Sequence, residues 1–165
     1  MKKFSFPKDV LLEELKASFN MIILAIENMD DRMWKEFVNE WSYVGTLYHI
    51  IDTLEFYSYN GPKDMKKAGE LGINTSNINE NEIQEQIQSK EKKFFLEYLE
   101  KVKSLVNTRI ESFNESDLNE QDVFAEWGFK SRFHKFSYVL RHTMFHLGEL
   151  NKYLRDNNRS RIKWL

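Results

Sequence analysis

Leu12, Leu15, Phe19, Ile22, Ile26 and Met29 recur at alternating spacings of three and four. No other feature limits the fold as strongly, because an α-helix gathers such positions on one face and a strand scatters them. Pro7 suits the first turn of this helix. Asp30 and Asp31 follow it, and a connecting piece through Trp34 and Phe37 leads to Ser42, an N-cap for a second helix reaching about Tyr59. Val44, Leu47, Ile51 and Leu54 mark one side of that helix, and Trp41, Gly45 and Phe56 another. A helix apolar on several sides is expected to lie between neighbours. Asn60-Gly61-Pro62 is its stop signal.

From Gly61 to about Glu80 the composition turns to Lys, Gly, Asn, Thr and Ser, which reads as a lid or a connecting loop. Asn79 with Glu82 has the form of a capping box and opens a helical pattern through Phe94, Tyr98, Val102, Leu105 and Phe113, with a break near Ser89 to Lys92 left open. An acidic loop from Asn114 to Asp122 leads through Phe124, Trp127 and Gly128 to Ser131, the cap of a last helix running to about Asp156. No repeat or alternating pattern competes with this reading. The expectation is all-α: one domain over residues 1–165, a four-helix bundle whose long second and third connections allow a crossover.

Composition narrows the chemistry. A net charge of −2 gives no global pull toward nucleic acid or anionic lipid, and no run of about 18 apolar residues suggests a membrane span. With no secretory signal pattern either, the expected location is cytoplasmic. The chain has no cysteine, so it supplies neither disulfides, thiolate ligands nor a cysteine nucleophile. Its six glycines are scattered rather than gathered into a phosphate loop.

Four histidines remain, and two of them, His142 and His146, stand one helical turn apart. With Phe136 as zero and about 100° per residue, Phe136, Leu140, Thr143, Leu147, Leu150 and Leu154 fall within about 40° of one direction, while His142 and His146 lie at about −120° and −80°. The pair therefore flanks the core-facing seam. Side chains at i and i+4 can share one ion, yet the same spacing occurs as an ordinary polar pair, so a third ligand is required. His134 falls at about 160° and points elsewhere. His49, on the second helix one turn beyond Gly45, is the better candidate, although a core-edge histidine bonded to a carbonyl would look the same. Thr143 stands where an HExxH motif requires Glu, so the general base of that motif is missing. Glu149 beyond His146 and Asp52 beyond His49 can orient a ligand or take a proton, or can be plain helix-surface carboxylates.

The segments WSYVGTLYHI and YVLRHTMFHLGELNKYLR together resemble the DinB-like, or YfiT-like, family of metal-dependent hydrolases, over nearly the whole chain. His49, His142, His146, Gly148 and Leu154-Arg155 match its pattern, and Glu149 stands where many members have Gln. The resemblance implies a four-helix bundle that binds a divalent metal, commonly zinc or nickel, through His49, His142 and His146, often in a homodimer. It also implies kinship with S-transferases and isomerases that use low-molecular-weight thiols such as bacillithiol or mycothiol.

Three imidazoles leave a coordination position open, where a thiol or a water can be activated. Two functions follow. One is a metal-dependent S-transferase or hydrolase acting on a small molecule held by the loops at Gly61–Glu80 and Asn114–Ser131, with Glu149 and Asp52 as orienting or acid–base carboxylates. The other is a non-enzymatic, dimeric helical module with a structural or vestigial metal site. For a dimer, the aromatic second helix and the Trp164-Leu165 tail are candidate contact surfaces.

Overall fold

The first apolar stripe forms α1, Lys8–Asn28, in the computed structural model, which describes residues 7–38, 40–59, 71–73 and 79–163. Pro7 sits at the N-cap rather than inside the first turn, and the stripe buries Leu15, Phe19, Ile22 and Ile26 almost completely. Asp30 accepts from the Arg32 amide (2.9 Å) and caps a short 3-10 turn, Asp31–Met33. Ser42 caps α2, Tyr43–Phe56, by accepting from the Gly45 amide at 3.1 Å. This helix stops three residues earlier than the pattern suggests. Tyr57 N–H bonds back to the Thr53 carbonyl and Ser58 N–H to that of Glu55, closing the last turn on itself.

The third apolar pattern belongs to two helices, α3 (Glu80–Ser89) and α4 (Lys92–Glu111). Asn79 and Glu82 form the expected capping box at the start of α3. The break falls at Lys90 and Glu91, whose backbone is extended, and the Trp34 indole N–H holds it by donating to the Lys90 carbonyl at 3.1 Å. The acidic stretch read as loop contains a helix, α5 (Glu115–Asn119), because Asn114 and Asp117 form a second capping box. A 3-10 turn at Val123–Trp127 ends on Gly128 at φ +90, and Ser131 caps α6, Arg132–Asp156.

Helices α1 and α2 each pack against both α4 and α6, and α3 leans on α2. One apolar cluster runs through these contacts, from Leu11 to Ile162. Among the described residues there is no strand, only an isolated bridge between Phe37 and Ser42, and no helix is long and apolar enough to cross a membrane.

Among the described residues, two charged residues, Lys135 and Glu55, are fully buried in this core. The Lys135 ammonium, with its side chain fully buried, meets the Asp122 carboxylate at 2.6 Å and lies 4.8 Å over the rings of Phe124 and Phe136. Burial pulls Lys135 down to about 8, against the upward pull of Asp122. Glu55, also inaccessible, accepts from Tyr98 OH (2.6 Å), Tyr59 OH (2.9 Å) and the Leu71 amide (3.4 Å). Next to it Ile73 N–H donates to Tyr48 OH at 3.1 Å, so residues 71–73 are pinned to α2. Gly72 is required there, since a Cβ would stand 2.7 Å from Tyr98 Cζ. The lid reading of Gly61–Glu80, the Asn60-Gly61-Pro62 stop and the Trp164-Leu165 tail lie otherwise outside the described residues.

Candidate metal centre

Because α2 and α6 pack together, the edge of the α6 seam that carries His142 and His146 faces the turn of α2 that carries His49. One ring nitrogen from each of the three lies within 4.8 Å of the other two. His49 Nε2 and His142 Nε2 are 3.0 Å apart. Nitrogens bound to one zinc at 2.0–2.1 Å stand about 3.3 Å apart in a tetrahedral arrangement, so this pair already has near-ligating separation. His134 takes no part: its Nδ1 accepts from the Lys130 amide at 3.2 Å at the start of α6.

The donor set fits a cation. Desolvation is the main force holding His49 and His142 down to about 4, helped in His49 by both neighbouring imidazoles and in His142 by His146. Both rings are therefore neutral at pH 7 and keep a lone pair, as ligation requires. Among the described residues, His142 Nδ1 is buried without a hydrogen-bond partner. His146 Nδ1 lies 2.7 Å from Glu149 Oε2. With the carboxylate accepting from Nδ1–H, the His146 lone pair is left on Nε2. The group of His49, His142 and His146 can hold a metal ion.

The two carboxylates singled out from the sequence differ. Glu149 touches a candidate ligand; no hydrogen bond joins Asp52 to His49. Asp52 instead lines a cleft of 260 Å³ between α2 and α3, beside His49, Tyr48 and Gln84. Burial first, then the charge of Glu55, raises its carboxyl to about 6. Gly45 has the role of allowing close approach, since an added Cβ would lie 3.1 Å from Ser42 Oγ and 3.4 Å from Gln84 Oε1.

Trp41 was not legible as part of the site. Its ring meets His49 edge-on at 4.3 Å between centroids and stacks on His146 at 6.1 Å. It lies outside any helix, held by the Val38 N–H bond to its carbonyl (3.0 Å), so helical periodicity carries no signal for it. A second cleft, also of 260 Å³, is lined by Trp41 with Glu40, His146 and Glu149. Compared with protein-family models, with curated proteins and with solved structures, the chain finds no match.

Proposed function

We propose that this chain is a DinB-like four-helix bundle enzyme in which His49, His142 and His146 hold a divalent ion, zinc or nickel, and which transfers a low-molecular-weight thiol to an electrophilic carbon. The observation that carries the reading is the convergence of three imidazole nitrogens from two helices, two of the rings kept neutral by burial. A divalent ion bound there supplies Lewis acidity, which favours the thiolate, the reactive form of a thiol, at neutral pH.

The remaining chemistry belongs to the protein. Glu149 keeps the His146 ring in one tautomer and one orientation. Asp52, raised to about 6 in the cleft beside His49, is a carboxylate at neutral pH that takes a proton readily. The S–H proton passes to Asp52, the sulfur electron pair forms the new C–S bond, and the bond to the leaving group breaks with its pair. The leaving group takes a proton from solvent, and Asp52 returns its own to solvent. The absence of cysteine leaves the thiol to be supplied from outside.

Calorimetric titration of apo protein with Zn²⁺ and Ni²⁺, beside a thiol-depletion assay with several electrophiles, tests this function. His49→Ala, His142→Ala and His146→Ala should each weaken binding by more than the roughly 10- to 100-fold typical of changes around a ligand, and His134→Ala should not. Unchanged metal binding in all four variants overturns the site. Metal binding with no turnover of any thiol, or with water alone as nucleophile, overturns the S-transfer.

A further inference from the structure

Among the described residues, two clefts that reach the histidines share one lining side chain. The first, of 260 Å³, touches the centre at His49; the second, equal in volume, touches it at His146; Trp41 lines both. The indole is fixed in that place. Its edge is against His49, its face toward His146, its carbonyl is tied to Val38, and its Cβ lies 3.5 Å from where a Cβ on Gly45 would stand. The clefts also differ in chemistry. Asp52 and Glu80 line the α2–α3 cleft, Glu149 and Glu40 the other; of the two half-buried carboxylates, Asp52 is not used by a histidine and Glu149 is taken up by His146 Nδ1, while Glu80 and Glu40 are exposed. Phe145, 64% exposed, stands 5.1 Å from the ring of His146, which lines the second cleft, and adds an apolar platform next to it.

The geometry points to Trp41 as a partition that gives two reactants separate approaches to the centre: a proton-bearing nucleophile beside Asp52, and an apolar electrophile between Trp41 and Phe145. This rests on the metal-centre reading above. It deepens that reading by assigning a side to each reactant and by naming Trp41 as the residue that keeps them apart. A half-buried carboxylate not engaged by a histidine suits the reactant that must lose a proton. An aromatic face beside an exposed phenyl ring suits the reactant that must lose its water.

The test uses the full chain loaded with Co²⁺ and 2-mercaptoethanol as the probe, read by thiolate-to-cobalt charge-transfer absorption. Gln84→Trp fills the α2–α3 cleft and Glu40→Trp the other. Gln84→Trp should raise the thiol Kd at least about tenfold, and Glu40→Trp should leave it within about twofold. Adding Trp41→Ala to Gln84→Trp should bring the Kd back to within about threefold of the parent, because the thiol can then enter from either side. Trp41→Leu serves the same purpose if the alanine variant melts below the assay temperature. Equal effects of the two plugs, the reverse pattern, or no recovery on removing Trp41 each overturn the partition while leaving the metal centre intact. A parent protein that takes up no Co²⁺ overturns both.

Discussion

Metal binding at mildly acid pH should release far fewer protons than three ordinary histidines would. Burial and mutual repulsion hold His49 and His142 at about 4. At about pH 5.5 each then carries about 0.03 of a proton, together about 0.06, whereas at the ordinary value of about 6.5 each would carry about 0.9, together about 1.8. His146 releases at most one proton in either case. Calorimetry of Zn²⁺ binding at that pH, repeated in buffers of different ionisation enthalpy, counts the protons directly. Measured on the Asp52→Asn variant, which removes the neighbouring carboxyl raised to about 6, the expected total is no more than about 1.1, and a total of about 1.8 or more refutes the account of these two rings. The same shifts act on the apo fold. Their folded values lie below the unfolded one, so the unfolded chain binds protons first as pH falls. The stability these neutral rings contribute is complete above about pH 6.5 and is lost as pH drops toward 4, which urea midpoints of apo protein across that window should follow.

Two further outcomes concern the core that positions the site. Asp122→Asn should remove the carboxylate facing the buried Lys135 ammonium and cost about 3–5 kcal/mol, a fall in Tm of about 6–20 °C, whereas Asp122→Leu with Lys135→Met should recover most of it. A loss below about 1 kcal/mol in the single variant contradicts the pairing as described. Gly72→Ala forces a methyl against the Tyr98 ring and should cost about 1–3 kcal/mol in urea unfolding; an unchanged midpoint would mean that residues 71–73 do not dock on Tyr48 and Tyr98.

Much of the fold was legible because it is local. The α1 stripe, the Ser42 and Ser131 caps and the Asn79–Glu82 box are each written within a few turns, and each stands where the pattern puts it. The break at Lys90 is tertiary: apolar periodicity continues on both sides of it, and Trp34, 56 residues away, fixes it. The short α5 was hidden for a different reason, since five residues carry too little periodicity to show and only the Asn114–Asp117 pairing marks them.

At the site, the i,i+4 spacing and the seam-edge angles of His142 and His146 were readable, and the resemblance supplied His49 as the third. Trp41 was not, because its place depends on a turn rather than a helix face. Lys135 shares the seam edge of His142, at about −100° by the helical period, yet a lysine there reads as surface until Asp122 arrives from another segment. Glu55 is the same case, a carboxylate made tolerable in the core by Tyr98 and Tyr59.

His49 and His142 stand 93 positions apart in the chain, with their Nε2 atoms 3.0 Å from each other. An ion shared by these two side chains is, in topological terms, a staple across more than half of the polypeptide. A covalent crosslink closing a loop of about 100 residues lowers the entropy of the unfolded ensemble by an equivalent of about 4.7 kcal/mol in the chain-entropy model, and a ligated ion that survives unfolding acts in the same sense. In a protein without cysteine, that closure cannot be a disulfide. Chelation would thus release α6 from α2 in the denatured ensemble as well as empty a site in the native one, making the ion a determinant of how the chain searches for its fold.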